Sequence, residues 1–309
     1  MPVIDVQHLH KRYGAQVAVD NISLSVEEGE IFGILGPNGA GKTTTVECIA
    51  GLRQPDSGTI RLHGLDPQRD RAALRQLLGV QLQDSQLPEQ IRVWEALDLY
   101  SSFYANPANC DQLIDDLGLA LKRNTPFAQL SGGQRQRLSV ALALVGRPRV
   151  AILDELTTGL DPQARRNTWE LIDAVRAGGV TVLLVTHFME EAERLCDRLA
   201  VIDGGRVVAL DTPAGIVAQA AIGQRLRFRP SAPLDERLLT DLPEVRQITR
   251  SGASVLVTGH GDLLQAVTAA LARSQIVAHD LRMEQATLDD AFVALTGRTF
   301  HHETAGDRQ

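Results

Sequence analysis

Residues 31–43 read Ile31-Phe32-Gly33-Ile34-Leu35-Gly36-Pro37-Asn38-Gly39-Ala40-Gly41-Lys42-Thr43. Five residues of apolar, strand-like sequence run into a glycine-rich turn that matches G-x-x-x-x-G-K-[ST], and Thr44 with the stretch that follows reads as the start of a helix. Strand, loop and helix in that order are what a phosphate cradle needs. Glycines let successive backbone N–H groups converge on phosphate oxygens. The helix N-terminus adds partial positive charge. In this pattern Lys42 reaches β- and γ-phosphates and Thr43 ligates Mg²⁺. Gly36, Pro37, Asn38, Gly39, Ala40, Gly41, Lys42, Thr43 and Thr44 are therefore candidate nucleotide-binding residues.

Outward from this turn, the chain alternates short β-branched runs with helical ones. Val150–Leu153 and Thr181–Thr186 are almost wholly apolar, as strands buried on both faces are. The stretch from Gln163 to Ala177 reads as a helix, with Pro162 before it and Gly178-Gly179 after it. The fold expected is α/β with a mostly parallel sheet. Residues 84–146 break the alternation and read as an inserted helical subdomain. Beyond residue 222 the order changes to strand Arg225–Arg229, helix Leu234–Leu242, strands Val245–Arg250 and Ala253–Thr258, helix Asp262–Ser274 and strand Ile276–Leu281. That βαββαβ order is ferredoxin-like. The domains expected are 1–222, 223–299 and a polar tail, 300–309.

Two of the apolar strands end in chemistry. Val150–Leu153 is followed by Asp154 and Glu155, which places two acids at the carboxyl edge of the sheet, where ligands bind in α/β folds. Asp154 is the candidate for Mg²⁺, and Glu155 for polarising an attacking water. His187 follows Thr181–Thr186 at the same edge, within reach of a γ-phosphate and that water. Gln83 ends the strand-like run LLGVQLQ and offers a neutral ligand to the metal shell. Asp289 and Asp290 read as a solvated helix start, and His301 and His302 as an inert tail pair.

Composition narrows the classes. The 309 residues carry a net charge of −7 and only 4% aromatic residues, against a general nucleic-acid surface. Three cysteines without a CxxC make a disulfide framework or a zinc site unexpected. The sequence MPVIDVQHLHKRYG lacks a signal peptide's apolar stretch, and no run reaches the roughly 18 apolar residues of a membrane span.

Leu130-Ser131-Gly132-Gly133-Gln134 makes the pattern specific. A hydroxyl, two glycines and a helix start form a second anion cradle. With the phosphate loop and the acids it resembles the signature of the ABC (ATP-binding cassette) superfamily. The resemblance is dense over residues 2–220. It implies a P-loop NTPase cassette with a RecA-like core, an antiparallel β subdomain and an inserted helical subdomain. It further implies ATP hydrolysis with Mg²⁺ and a head-to-tail pair of ATPase subunits, expected as a homodimer. Ser131, Gly132, Gly133 and Gln134 would then cap the nucleotide of the partner subunit. Tyr13 resembles the aromatic that stacks on adenine, and Asp161, in TTGLDP, the contact to the opposite protomer. ALDTPAGI and TLDDAFVALTGR resemble the stand-alone ATPases of drug-resistance-type exporters (the daunorubicin-exporter-like group). The expected setting is the cytoplasmic face of the membrane, peripheral, on an integral membrane permease subunit. An importer ATPase and a soluble ABC ATPase are the alternatives. One departure is Leu156, where the family has proline after the catalytic glutamate.

Overall fold

The computed structural model describes residues 2–82, 87–220, 223–284 and 286–297. The chain divides into two compact units between Pro213 and Ala214.

The first unit contains β1 (Ile4–Tyr13), β2 (Gln16–Val26), β3 (Ile31–Leu35), α1 (Lys42–Ile49), β4 (Ser57–Leu62), α2 (Arg71–Arg75), β5 (Leu78–Gln81), α3 (Val93–Ser101), α4 (Cys110–Asp116), α5 (Gly132–Leu144), β6 (Val150–Asp154), α6 (Pro162–Ala177), β7 (Thr181–Thr186), α7 (Met189–Leu195), β8 (Arg198–Asp203) and β9 (Arg206–Asp211). Helix α8 (Pro213–Gln219) follows at the division.

Six strands form one sheet in the order β5-β6-β7-β3-β8-β9. All neighbours run parallel except β8 and β9. Every residue of β3, β6 and β7 is buried, as their unbroken apolar runs require. Register then fixes the site. Leu35 pairs with Thr186 and Asp154 with Val185, so β3, β6 and β7 end side by side. The residues that follow them, Gly36, Glu155 and His187, emerge along one edge. A separate antiparallel sheet, β2-β1-β4, carries Tyr13 at the end of β1.

Between β5 and β6 lie α3, α4 and α5, around a core that includes Val93, Leu97, Ile114, Leu138 and Ala141. Helix α5 also packs on β5. A side chain at Gly79 would meet the Ala143 carbonyl oxygen at 2.0 Å, so this close helix–strand approach requires glycine there.

The second unit contains β10 (Gln224–Pro230), α9 (Arg237–Thr240), β11 (Val245–Ser251), β12 (Ser254–Gly259), α10 (Leu263–Arg273), β13 (Ala278–Glu284) and α11 (Leu288–Thr296). Its sheet is antiparallel in the order β11-β12-β10-β13, and Leu226, Phe228, Val257, Leu263, Val267 and Leu271 build its core. Helix α9 is shorter than the sequence suggests, starting after Asp235, whose carboxylate accepts the Arg237 N–H at 3.1 Å. Asp290 is not simply a solvated helix start. It accepts hydrogen bonds from the Thr287 N–H and hydroxyl, both at 2.9 Å, and pairs with Arg225. Two more ion pairs, Arg227–Glu284 and Arg229–Asp280, join β10 to β13. His301 and His302 lie outside the described residues.

All three cysteines are free. Cys48 and Cys196 are buried and Cys110 is half-buried. No helix among the described residues is long and apolar enough to cross a membrane.

Candidate active site at the carboxyl edge of the sheet

The loop between β3 and α1 is held by backbone crowding. Gly41 has φ 102°, and a side chain there would meet the Ala18 carbonyl oxygen at 2.2 Å. Only glycine fits both conditions. Gly41 also caps α1 with no side-chain acceptor, leaving the first N–H groups of the helix for another partner. Asn38, Gly39 and Thr43 are exposed, Pro37 and Thr44 half-buried, and Gly36 and Ala40 buried.

Lys42 is only 5% exposed. Its ammonium donates to the carbonyl oxygens of Gly36 at 2.8 Å and Pro37 at 3.1 Å, folding the side chain back along its own loop. Burial pushes the ammonium's pKa down, and the charges of Glu155 and Asp154 oppose that shift.

Asp154 is 1% exposed, and neither carboxylate oxygen has a hydrogen-bond partner among the described residues. Burial pushes its carboxyl up to about 6; the charge of Glu155 adds to the shift and Lys42 opposes it. A buried carboxylate with two uncommitted oxygens is a costly arrangement unless a cation completes it. Among the described residues no three His, Cys, Asp or Glu side chains gather as a metal site. A hard divalent ion here would therefore draw its other ligands from phosphate oxygens, hydroxyls and water, which suits Mg²⁺.

Glu155 ends the strand in a left-handed backbone conformation, φ 51°. Its N–H still donates to the Val185 carbonyl at 2.9 Å, which ties the turn to β7. One carboxylate oxygen bonds His187 Nδ1 at 3.1 Å, and the other accepts from the Thr158 hydroxyl at 3.4 Å. The His187 bond holds the Glu155 carboxyl below the ordinary range, against the opposing effect of burial. Since a carboxylate only accepts, the proton of this bond resides on Nδ1, which leaves Nε2 for another group. Leu156 is fully buried. Proline restricts the residue before it towards extended conformations, so leucine at this place is compatible with the left-handed Glu155.

The structure thus brings Lys42, Asp154, Glu155 and His187 into one cluster. Gln83 lies outside the described residues. Strand β5 ends at Gln81, which the sequence reading missed. Gln81 is 5% exposed, and its side-chain oxygen accepts from the Asp154 N–H at 3.1 Å. The run LLGVQLQ carries glutamine at both 81 and 83, and sequence alone does not choose between them.

Ser131 to Gln134 stand elsewhere, against the start of α6. Ser131 caps α5, accepting from the Gln134 N–H at 3.3 Å, while the Gln134 side chain accepts from the Ser131 N–H at 3.0 Å. A side chain at Gly132 would meet nothing nearer than Leu160 at 3.7 Å, and one at Gly133 nothing nearer than Ala164 at 3.6 Å. Unlike Gly41, these glycines are not required by the chain's own packing. Asp161 caps α6 through bonds from the Gln163 and Ala164 N–H groups, both at 2.9 Å, and stays exposed. Tyr13 is 41% exposed, with Arg53 at 5.2 Å and Lys11 at 5.8 Å from its ring centre.

Comparison with known proteins agrees with this architecture. The sequence profile of the family described as "ABC transporter" matches residues 19–158. Nod factor export ATP-binding protein I of Ralstonia nicotianae is 40% identical over 96% of this chain and 94% of its own length. Daunorubicin resistance ATP-binding protein DrrA3 of Streptomyces coeruleorubidus is 37% identical over 95% of this chain and 96% of its own. Among solved structures, the ATP-binding subunit of an ABC transporter superposes with a TM-score of 0.64 at 29% identity, covering 71% of this chain and 93% of that one. The cbiO1 protein of Clostridium perfringens, part of the transporter complex cbiONQ, gives 0.64 at 28% identity over 71% and 91%. Similarity of this extent, on a phosphate-loop sheet with paired acids at its edge, means that the chain belongs to the ABC transporter family as one of its ATP-binding, ATP-hydrolysing proteins.

Proposed function

We propose that this chain energises an exporter by hydrolysing ATP between two copies of itself, docked on the cytoplasmic face of a membrane permease. The observation that carries the chemistry is the cluster of buried Lys42 and Asp154 with half-buried Glu155 and His187. Export is supported by the full-length similarity to a Nod factor export protein and a daunorubicin resistance protein.

In this reading the N–H groups of the loop at 36–43 and the start of α1 bind the phosphates. Lys42 exchanges its two carbonyl acceptors for phosphate oxygens. Asp154 and Thr43 would hold Mg²⁺, which when bound would supply charge neutralisation at the phosphate oxygens. Glu155 accepts a proton from, or orients, the attacking water. His187, held through Nδ1, presents Nε2 to the γ-phosphate side. Tyr13 lies exposed for the adenine. Ser131 to Gln134 cap the γ-phosphate of the second copy: the absence of any internal demand for Gly132 and Gly133 supports an outside group approaching them. Asp161 stands exposed for the same interface.

A cleft of about 360 Å³ in the first unit, lined by Gly51, Leu52, Pro67, Arg71, Leu74 and Tyr104 among others, supports a permease helix docking there. Leu52, Leu99 and Phe103 are exposed apolar side chains in the same parts of the sequence.

The test is to recover tagged Glu155→Gln protein from solubilised membranes in the presence of ATP and identify what accompanies it. A multi-helix membrane protein is the expected companion. Ribosomes, nucleic acid or soluble factors alone would overturn the transport reading.

A further inference from the structure

Glu191 stands on α7, four residues after His187, and is completely buried. One carboxyl oxygen accepts a hydrogen bond from the Trp169 indole N–H of α6 at 3.1 Å. The hydroxyls of Thr186 and Thr157 face the same carboxyl. They stand outside tight bonding geometry: the second carboxyl oxygen and the Thr157 hydroxyl are buried with no hydrogen bond among the described residues. Thr186 is the last residue of β7, next to His187. Thr157 is two residues beyond Glu155. Asp161 caps the start of helix α6. One buried acid therefore touches, or is faced by, the turn of Glu155, the strand end of His187 and the helix of Asp161.

An apolar side chain would fill that position at lower cost, since a buried carboxyl must give up its hydration for imperfect partners. Stability alone is a poor reason for an acid here. Geometry is a better one. Thr157 of the Glu155 turn and Thr186 beside His187 both face this carboxyl, and Trp169 bonds it from α6, so the acid stands where the three elements meet.

On the reading of this site as one that hydrolyses ATP, we propose that Glu191 is a positioning residue, whose carboxyl holds the Glu155 turn, His187 and α6 in one register so that the water-activating pair and the dimer-facing helix move together. It touches no substrate. Its loss misplaces Glu155 and His187 while the phosphate loop, on another element, is unchanged.

The experiment measures steady-state ATP turnover, mant-ATP affinity and melting temperature on the full-length chain and on Glu191→Ala, Glu191→Gln and Trp169→Phe. In Glu191→Ala, kcat should fall about tenfold or more while KM and mant-ATP affinity stay within about threefold, since small misplacements act on the reacting geometry. Glu191→Gln keeps the oxygen that accepts the indole N–H and should recover most of kcat. Trp169→Phe keeps ring bulk but removes the donor, and should lose part of kcat. Should Glu191→Ala not fold, the other two decide. An unchanged kcat in Trp169→Phe, or a lowered melting temperature with kcat and KM altered together, overturns the proposal. A wild-type chain that neither binds nor hydrolyses ATP would instead overturn the functional reading on which it stands.

Discussion

Three side chains at the sheet edge can be separated by experiment. Glu155→Gln should keep mant-ATP affinity and lose hydrolysis by on the order of 10² or more, because only water activation is removed; phosphate release and a dimer trapped by ATP on a sizing column are the readouts. Lys42→Ala should weaken ATP affinity at least about tenfold, measured by the same fluorescent nucleotide, because charge-assisted bonds to phosphate are among the strong ones. Asp154 gives a pH signature. Its folded pKa, about 6, lies above an unfolded value near 3.9. The folded chain therefore binds the extra proton more tightly. Its stabilisation is complete below about pH 4 and is lost as pH rises through about 6. In Mg²⁺-free, nucleotide-free buffer the melting temperature should fall over that window in wild type. In Asp154→Asn that slope should vanish and the unfolding free energy at pH 7 should be higher, by roughly 2–3 kcal/mol at most. The same variant should lose the Mg²⁺ dependence of nucleotide binding. At this scale the acids and the histidine were legible because each closes or follows an apolar strand, and the lysine because it stands near the end of the glycine-rich loop at 36–43. Gln81 and Glu191 were not, because nothing local distinguishes a buried polar residue from an exposed one. Asp290 does start a helix, as read, but its pairing with Arg225 was not legible because that partner lies 65 residues away in sequence.

Elements differ in what their glycines are for. Gly41 in the phosphate loop is demanded by the fold. Gly41→Ala should therefore destabilise the first unit as well as abolish nucleotide binding, because both a positive φ and a backbone contact are violated. Gly132, inside α5, is not demanded. Gly132→Ala should leave the melting temperature unchanged or raised, since alanine favours a helix by up to about 1 kcal/mol over glycine. If the start of α5 receives the second copy's nucleotide, it should nonetheless abolish cooperative turnover. A fully active, stable Gly132→Ala would argue against that use of the helix. Most elements were legible from apolar runs and from proline and glycine punctuation. Their ends were less so, as β5 and α9 show, because a strand or helix stops where tertiary partners stop.

As a whole molecule the chain has two compact units, and Lys42, Asp154, Glu155 and His187, the proposed nucleotide site, all belong to the first. Calorimetry should resolve this. Mg²⁺-ATP at 100 times its Kd adds about 2.7 kcal/mol to the unit that binds it, so one thermal transition should move and the other should not. A single transition shifted as one would mean that the units unfold together. The ferredoxin-like order of the second unit was legible from its sequence. The ion pairs between β10 and β13 were not, because strand register across a sheet is a long-range property.

The thiols add a practical consequence. Burial raises Cys48 to about 11 and pushes Cys196 up further still, so neither offers thiolate near neutral pH. Cys110, half-buried at the first turn of α4, remains the one thiol that a maleimide can approach. A maleimide should therefore add once per chain, at Cys110, as intact-mass analysis would show. A fluorophore there would sit in the helical segment between β5 and β6, and would report its movement as nucleotide arrives and leaves.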